Sequence, residues 1–253
     1  MAARPRRLGR LAAVVAGVVA VMAGITASSP PRIVVVAMQL NLCDSGIAGC
    51  FTGRAVARAA ALIKAYAPDV VTVNEVCRDD VTMLRAAFPD PSAVRSAFQP
   101  VPDRRTGLAT RCRDGQEYGI GVLMRSAGTA TVHTGVFPAQ DPADPEKRVW
   151  LCLTADRYAA CTTHLSDHDS GVAASQRAYL LGAVVSSLPQ PVVVGGDFNL
   201  RRLDGVPAGL VTSTDGGLQY VLATQATVLR AERLDTAGTT DHPGLLVTLS
   251  VWS

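Results

Sequence analysis

Apolar runs alternate with short polar segments along this chain, and the length and residue types of each run predict an element. Short runs rich in Val, Ile, Leu and Thr, bounded by turn residues, are typical of buried strands. The predicted strands cover residues 33–42, 69–77, 118–125, 129–137, 148–155, 158–166, 191–200 and 244–252, and two more lie within 217–236. Strands therefore dominate the middle and the end of the chain.

Three longer runs have apolar residues at helical spacing. Residues 50–68 are rich in alanine and end at Pro68, residues 79–89 begin at Asp79, and residues 170–188 form the third run. An aspartate before such a run is a typical helix cap, and a proline is a typical helix terminator. Residues 89–117 are rich in Pro, Arg and Gly without a clear period, which predicts a surface loop.

The order of these elements predicts the fold class. Early strands alternate with helices, whereas the later part of the chain is made of strand-rich hairpins. This mixture indicates an α/β (α+β) protein, a layered sandwich in which two β-sheets face each other and helices lie outside them. We see no internal repeat and no linker, so we expect residues 28–253 to form one domain.

The first 27 residues have the layout of an export signal. Four arginines (Arg4, Arg6, Arg7 and Arg10) precede an apolar run of Ala, Val and Gly that ends in small residues. This layout predicts a secretory signal peptide, cleaved after Ala27, and therefore a secreted protein. The alternative is an uncleaved N-terminal anchor that leaves the domain outside the cell, because Leu11 to Ala27 is just long enough to span a bilayer.

Cleavage changes the charge of the chain. The full sequence has 24 basic and 21 acidic residues and a formal net charge of +3. Removal of residues 1–27 removes four arginines and no acid, which leaves 20 basic and 21 acidic residues and a net charge of −1. The basic balance thus belongs to the export signal and does not indicate nucleic-acid binding by the folded domain.

Six cysteines follow the predicted cleavage site. They are Cys43, Cys50, Cys77, Cys112, Cys152 and Cys161. An even number in an exported chain favours disulfides, and the absence of a C-x-x-C pair disfavours a zinc site. Cys152 and Cys161 flank a predicted hairpin turn, and Cys43 and Cys50 would close a short loop. The cysteines at 77 and 112 would then pair by elimination.

Polar residues that could perform chemistry lie at the ends of five apolar runs. They are Asn41, Glu75, His164, Asp197 with Asn199, and Asp241 with His242. If these run ends converge in space, they supply the carboxylates, amides and imidazoles that phosphoester cleavage with a bound metal ion requires. We therefore expect one phosphoester-cleaving metal site.

The carboxylate and amide residues suit a magnesium or manganese ion. Mg²⁺ prefers hard oxygen ligands and keeps several waters, so Glu75 and Asn41, from neighbouring strands, are candidate ligands. Asp241 would add either a third ligand or a charge that tunes the site. The structural alternative for Glu75 is a turn cap or an ion pair with Arg78.

The segment Gly-Gly-Asp-Phe-Asn (195–199) is the sharpest local motif. Asp197 could orient an attacking water, and the amide of Asn199 could hold a phosphate oxygen. The alternative is an Asx turn, in which both side chains bond their own backbone. His164 and His242 are candidates for proton transfer and charge stabilisation near neutral pH. We assign His133 and His168 to ordinary structural positions.

The order Asn, Glu, His, Asp-x-Asn, Asp-His resembles that of the endonuclease/exonuclease/phosphatase superfamily, which has the deoxyribonuclease I-like fold. The resemblance extends from Val34 to Thr248 and implies a four-layer sandwich of two mixed β-sheets flanked by helices. It also implies metal binding by Asn41 and Glu75, phosphate stabilisation or acid catalysis by His164, and water orientation by Asp197. The last roles are phosphate contact by Asn199 and general base catalysis by His242, beside Asp241.

Two positions depart from or extend the family pattern. Where the family has an aspartate that orients the terminal histidine, this chain has Gln219, which brings no charge and would give a weaker base. Asp215 or Asp235 could replace that charge. Glu117 lies near the place where several members carry an acidic residue or a tyrosine that supports the site, so it is a further candidate.

These inferences predict a secreted phosphodiesterase that uses Mg²⁺ or Mn²⁺. A nuclease acting on DNA or RNA is the first expectation, with arginines at 78, 104, 105, 111, 113, 201 and 202 available for phosphate contacts. A phospholipid or sphingolipid phosphodiesterase, acting on membrane lipid, is the alternative. A binding protein with a weakened site is the third reading. We expect a monomer without a stable protein partner.

Overall fold

Two six-stranded sheets stacked face to face form the body of the protein. The structure, a computed structural model, describes residues 1–2 and 31–252. The predicted signal peptide or anchor therefore lies, apart from its first two residues, outside the described residues. Within the described part of the chain, no helix is long and apolar enough to cross a membrane.

The first sheet has the strand order β11-β12-β1-β2-β4-β3. Its strands, in chain order, are β1 (Arg32–Asn41), β2 (Val70–Cys77), β3 (Val94–Pro100), β4 (Tyr118–Arg125), β11 (Ala226–Leu234) and β12 (Gly244–Trp252). Only β1 and β2 are parallel, and the other neighbours are antiparallel, so the sheet is mixed.

The second sheet has the order β5-β6-β7-β8-β10-β9. Its strands are β5 (Thr131–Val136), β6 (Val149–Thr154), β7 (Ala159–His164), β8 (Val192–Asp197), β9 (Leu210–Thr214) and β10 (Gln219–Thr224). Again one central pair, β7 with β8, is parallel, and the rest are antiparallel. The prediction of two mixed sheets is confirmed.

Helices cover the outer face of each sheet and complete four layers. The first sheet is covered by α1 (Ala55–Tyr66) and α2 (Arg78–Ala86). The second is covered by α3 (Ser170–Tyr179), a π-helical segment (Leu180–Val184) and the single turn α4 (Val185–Ser187). A short 3₁₀ turn, Pro91–Ala93, precedes β3.

Side-chain alternation within the strands separates the cores. In β1, Val35 and Ala37 face the opposite sheet, whereas Met38 and Leu40 face the helices. The same period of two holds in the other central strands, because successive strand residues point to opposite faces. The apolar core between the sheets is therefore built from every second residue, and polar residues replace it at one end.

Two strands were not predicted from the sequence. β3 lies inside the predicted loop 89–117, and β9 follows the Asp-Phe-Asn turn without a predicted counterpart. Both are edge strands with one neighbour and mostly half-buried or exposed residues. β3 (VRSAFQP) and β9 (LVTST) contain no long apolar run, which explains why composition did not reveal them.

The helix boundaries also differ from the prediction. α1 begins at Ala55, five residues later than expected, and α2 begins at Arg78 with Cys77 as its cap, not Asp79. The carboxylate of Asp80 accepts a hydrogen bond of 2.6 Å from the Cys77 N–H, so the capping acid is one turn inside the helix.

All three expected disulfides are present: Cys43–Cys50, Cys77–Cys112 and Cys152–Cys161. The last pair joins directly opposed residues of β6 and β7 and faces the helices that cover the second sheet. Cys43–Cys50 lies just after the end of β1, and Cys77–Cys112 begins at the last residue of β2.

Candidate active site

Strand pairing brings the predicted residues together at the polar end of the space between the sheets. Asn41 lies beside Asn74 in the first sheet, and Asp197 lies between His164 and Gln219 in the second. In each strand the same face carries apolar residues farther along, such as Val193 in β8. The site is thus the polar end of the inter-sheet core.

Glu75 reaches the site through an irregularity in β2. The pairing of β2 with β4 shifts register between Val73 and Val76, and Glu75 has a left-handed backbone angle φ of 55°. Such a conformation is uncommon for a side chain other than glycine and is typical of bulges at functional sites. The strand does not end at Glu75, as the sequence suggested, but bends there.

The Glu75 carboxylate is surrounded by site residues. Its Oε1 accepts a hydrogen bond of 2.7 Å from Asn41 Nδ2 and lies 3.8 Å from His164 Nε2. Burial raises the pKa of Glu75, and the nearby charges of Asp197 and Asp241 add to this. Arg78, the alternative partner, pairs with Glu117 instead. Arg78 therefore does not neutralise Glu75, and the Glu75 carboxylate can take part in the site.

Asp197 is fully buried at the centre of the site. Its Oδ2 accepts hydrogen bonds from Asn41 Nδ2 at 3.1 Å and Gln219 Nε2 at 2.7 Å, and lies 3.5 Å from His242 Nε2. Burial raises the pKa of Asp197, although the neighbouring His242 and these hydrogen bonds act in the opposite direction. These contacts fix the orientation of the Asp197 carboxylate, so the oxygen that would accept a proton has a defined position.

Asn199 follows Asp197 in a tight turn. Its backbone N–H donates to Asp197 Oδ1 at 3.1 Å, its φ is 49°, and its side-chain Nδ2 donates to the Leu165 carbonyl at 2.9 Å. Asp197 therefore forms the Asx turn considered from the sequence, whereas the Asn199 side chain does not bond its own backbone. The turn coexists with the site, because the second Asp197 oxygen still faces Asn41 and His242.

The two histidines approach the carboxylates from opposite sides. His164, at the end of β7, is nearly enclosed, and burial, with Arg148 and His242 nearby, lowers its pKa well below the usual value. It is therefore a neutral imidazole near neutral pH. His242 Nε2 lies 3.7 Å from Asp241 Oδ1 on the loop before β12. Asp241 is 56% exposed, which makes it the most accessible of the three carboxylates.

The remaining candidates lie apart from the site or contribute indirectly. Glu117 forms an ion pair with Arg78 on the surface, whereas its neighbour Tyr118 is buried and lines the active-site pocket. Asp215 bonds the backbone of its own turn, and so does Asp235. The acidic partners of His242 are Asp197 and Asp241, so neither Asp215 nor Asp235 contacts the imidazole, and their replacement of the missing charge stays a prediction.

Gln219 contacts both Asp197 and His242. Its Nε2 lies 3.3 Å from His242 Nδ1, so the glutamine nitrogen, and not its carbonyl, faces the imidazole. Its Oε1 accepts a hydrogen bond of 2.9 Å from Gln39 Nε2. Gln39, with Thr72 and Asn74, was not predicted from the sequence, although the alternation Val35, Ala37, Gln39 would have placed it on the inner face.

A pocket of about 320 Å³ opens beside Glu75 and His164. Its wall includes Ile47 and Ala48 from the first disulfide loop, Thr110 and Arg111 from the loop after β3, and Tyr118, Glu146 and Arg148. Arg148 is buried and forms ion pairs with Asp144 and Asp167. The pocket is large enough for one small group, and its wall includes carboxylates and guanidinium groups.

The donor set fits a hard divalent cation. Glu75 and Asp197 place two carboxylates in a largely buried position, and the raised pKa of each reflects the cost of that burial. The exposed carboxylate of Asp241 adds negative charge nearby. Carboxylate oxygens with room for water are the ligands that Mg²⁺ prefers. Asn41 contributes through Nδ2 in this structure, because its Oδ1 accepts the Cys43 N–H at 3.1 Å. It orients Glu75 and Asp197.

The fold and the site define a class of protein that cleaves phosphoester bonds. The model of the Endonuclease/Exonuclease/phosphatase family matches residues 43–242. The chain belongs to this family and is a hydrolase of phosphoester bonds, whose members generally use divalent metal ions. No curated protein matches the chain.

Solved structures share the fold at low sequence identity. An endonuclease/exonuclease/phosphatase from Beutenbergia cavernae DSM 12333 has a TM-score of 0.65 and 20% identity, over 87% of this chain and 72% of that one. The human Nocturnin catalytic domain with bound sulfate anion has a TM-score of 0.61 and 17% identity, over 88% and 99%. D. rerio TDP2 complexed with single strand DNA product has a TM-score of 0.60 and 16% identity, over 85% and 98%.

Proposed function

We propose that this chain is a secreted phosphodiesterase that uses Mg²⁺ or Mn²⁺ and acts on nucleic acid. The observation that carries the proposal is a pair of contacts at the polar end of the two sheets. Glu75 lies 3.8 Å from His164, and Asp197 lies 3.5 Å from His242. Such a set supplies metal ligands and proton-transfer groups at one place.

The residues of the chain divide the reaction between them. Glu75 and Asp241 would hold the metal ion, and Asn41 would orient Glu75. Mg²⁺ or Mn²⁺, when bound, supplies a positive charge that polarises the phosphoryl oxygen and offsets the charge of the leaving alkoxide. Asp197 would orient the attacking water, and the neutral His164 would donate a hydrogen bond to the charge that develops on phosphorus-bound oxygen.

Nucleic acid is the proposed substrate because cations flank the site. Arg105, Arg111 and Arg113 are exposed on the loop beside the pocket, and Arg201 and Arg202 are exposed after the Asp-Phe-Asn turn. Exposed arginines next to a phosphoester site suit contacts with the backbone phosphates of a strand. The structural neighbour TDP2 was solved with a single-strand DNA product.

Secretion is supported by the covalent structure. The three disulfides use all six cysteines, and none is free. Disulfides persist in oxidising compartments and are rare in the cytosol. Together with the layout of residues 1–27, they favour an exported domain.

A lipid phosphodiester is the second candidate, and two side chains favour it. Ile47 is 66% exposed and Leu108 is 70% exposed, and each lies on a loop that borders the catalytic pocket. Exposed aliphatic residues at the rim of a lipid-cleaving site would insert between headgroups. The two residues are isolated, so nucleic acid remains the first proposal.

The test is hydrolysis by the purified protein of plasmid DNA, RNA, sphingomyelin vesicles and a chromogenic phosphodiester, with Mg²⁺, with Mn²⁺ and after chelation. We expect metal-dependent cleavage of nucleic acid. His164→Ala and Asp197→Ala should each lower kcat by about a hundredfold or more, because each removes a group that acts at the reacting phosphate.

His133→Ala is the matched control, since His133 lies in β5 at the far edge of the second sheet, and it should retain wild-type activity. Circular dichroism should show that all three variants are folded. Wild-type rates in both site variants would refute the site. If cleavage required lipid vesicles, a lipid phosphodiester would replace nucleic acid as the proposed substrate. Metal-independent binding without turnover would indicate a binding protein.

A further inference from the structure

Three fully buried side-chain amides connect the two sheets behind the active site. Gln39 in β1, Asn74 in β2 and Gln219 in β10 are each 0% exposed. Gln39 Nε2 donates to Asn74 Oδ1 at 2.7 Å and to Gln219 Oε1 at 2.9 Å. The chain of amides, which we term the amide relay, ends at Asp197 and His242.

Backbone atoms fix the direction of the first amide. The Asp197 N–H donates to Asn74 Oδ1 at 2.8 Å, and the Thr163 carbonyl accepts from Asn74 Nδ2 at 3.0 Å. A backbone N–H can only donate and a carbonyl can only accept, so the amide of Asn74 cannot be reversed. Its oxygen must therefore face Gln39.

The direction then passes along the relay. Since Asn74 presents an oxygen, Gln39 must present its NH₂ group, and its own oxygen accepts a hydrogen bond from the Thr72 hydroxyl. The same NH₂ group meets Gln219, which must present oxygen. The NH₂ group of Gln219 is left to face Asp197 Oδ2 at 2.7 Å and His242 Nδ1 at 3.3 Å.

We propose that the amide relay is a positioning device that fixes the tautomer of His242, with Nδ1 as a hydrogen-bond acceptor and the hydrogen on Nε2. Reversal of Gln219 would place two NH₂ groups against each other and an oxygen against the Asp197 carboxylate. Both contacts are repulsive. The ring hydrogen of His242 therefore lies on the nitrogen that faces Asp197 and Asp241, at 3.5 and 3.7 Å.

The catalytic consequence rests on the proposed function. A carboxylate at position 219 would accept from Nδ1 and leave Nε2 bare, as a general base requires. With Gln219 the Nε2–H is instead a donor. During hydrolysis water oxygen bonds to phosphorus, its proton passes to Asp197, and the bond to the leaving oxygen breaks with its electron pair, which solvent protonates. His242 donates a hydrogen bond from Nε2 to a non-bridging oxygen throughout.

The direct test is a long-range ¹H–¹⁵N spectrum of the labelled protein with Mg²⁺, at a pH where imidazoles are neutral. His242→Gln identifies the signals of His242 among the four histidines. We expect a pyridine-type shift at Nδ1 and a pyrrole-type shift at Nε2. The opposite assignment would overturn the proposal.

Substitution of Gln39 tests the relay itself, at a residue that does not touch His242. Gln39→Leu removes the donor to Gln219 Oε1 and leaves only Asp197 to hold that amide, so the second tautomer of His242 should become detectable. Gln39→Glu keeps the shape, presents oxygens to Gln219, and should favour the reversed tautomer. A wild-type tautomer in both variants would disprove the relay.

Gln176→Leu is the matched control. Gln176 is equally buried, but it bonds the Ser166 N–H and the Ala139 carbonyl under α3. This variant should lose stability and leave the His242 signals unchanged. An equal change in the His242 tautomer would show that any buried amide loss disturbs the site, which would also overturn the proposal.

Kinetics provide a second readout. We expect Gln39→Leu to lower kcat by about 10- to 100-fold, the usual cost of losing a residue that orients a catalytic group, with KM unchanged. An unchanged kcat would contradict the proposed effect on catalysis. If the wild-type protein hydrolyses no phosphodiester, the proposed function fails, but the spectra still decide whether the relay sets the tautomer.

Discussion

Asp197 shows how a single residue is held ready at the centre of this site. Neutral donors supply its hydrogen bonds: Asn41 Nδ2, Gln219 Nε2 and the Asn199 N–H. None of them cancels its charge, so the carboxylate keeps its affinity for a proton or a cation in a place where burial already raises its pKa. The amides therefore provide orientation while the charge remains available.

A second buried carboxyl group, at Asp80, predicts a pH dependence of stability. Burial raises its pKa from 3.8 to about 7, and Asp44 and Asp114 add to the shift. The folded protein keeps this proton up to about pH 7, whereas the unfolded chain releases it near pH 3.8. The free energy of unfolding should therefore fall as the pH rises through this window.

Urea unfolding at a series of pH values measures this effect. Asp80→Asn should make the fall shallower, because the amide cannot ionise and still accepts the Cys77 N–H. Asp79→Asn, at the exposed neighbouring position, should keep the wild-type slope. Equal slopes in the wild type and Asp80→Asn would show that Asp80 titrates normally.

At the scale of elements, the spacing of β2 and β8 across the gap between the sheets depends on one glycine. A Cβ at Gly195 would lie 2.1 Å from Thr72 Oγ1 and 3.2 Å from Gln39 Oε1. We expect Gly195→Ala to lower the free energy of unfolding by about 1–3 kcal/mol, because the core must shift to admit a methyl group.

Gly182→Ala provides the contrast to that variant. Gly182 lies in the π-helical segment, and an added Cβ would meet nothing within 4 Å. The substitution should stabilise the protein by up to about 1 kcal/mol, the usual gain in a helix. Chemical denaturation of both variants tests the pair. A neutral Gly195→Ala would mean that the sheets can separate locally at little cost.

The disulfides give a prediction about the loops that border the site. Cys77–Cys112 joins the end of β2 to the loop that carries Thr110 and Arg111. Replacing both cysteines by alanine should cost about 4 kcal/mol for this separation of 35 residues and should raise KM.

The alanine pair at Cys152 and Cys161 is the control for that experiment, since this disulfide lies on the outer face of the second sheet. It should cost about 3 kcal/mol for the separation of 9 residues and leave the kinetic constants unchanged. If both pairs of substitutions changed KM equally, the Cys77–Cys112 disulfide would have no special role in holding the pocket wall.

The central strands and the edge strands β5 and β11 could be predicted from the sequence, whereas the edge strands β3 and β9 could not. β1, β4 and β12 have long apolar runs because both of their faces are covered, and their ends were placed within about one residue. β3 and β9 have one partner each and no such pattern. Local composition reflects burial, whereas β3 and β9 are strands because each forms backbone hydrogen bonds with one neighbouring strand.

The chemical groups of the site could be predicted from the sequence, but the hydrogen-bond network that connects them could not. Asn41, Glu75, His164, Asp197 and His242 were recognised because their order along the chain resembles that of a family. Gln39 and Asn74 escaped notice because their roles depend on which residues lie across the gap between two sheets. That information appears only when the register of six strands in each sheet is known.

At the scale of the whole molecule, the proposed export would determine the covalent state of the active protein. The signal layout predicts that the secreted form begins at Ser28 and carries a net charge of −1. Mass spectrometry of the protein released by a cell that expresses the full chain should give residues 28–253 with six cysteines oxidised. A membrane-bound product that retains residues 1–27 would instead support the anchor.

The two disulfides at the mouth of the pocket have a consequence for the organism that makes the protein. Under the proposed export, the chain would first reside among reducing thiols, where Cys43–Cys50 and Cys77–Cys112 would not persist. The loops they hold form the wall beside Glu75. If the protein is exported and cleaves nucleic acid, as proposed, a freshly synthesised copy would lack a finished cleft. It would then spare the host's own genome and transcripts until it had left the cell.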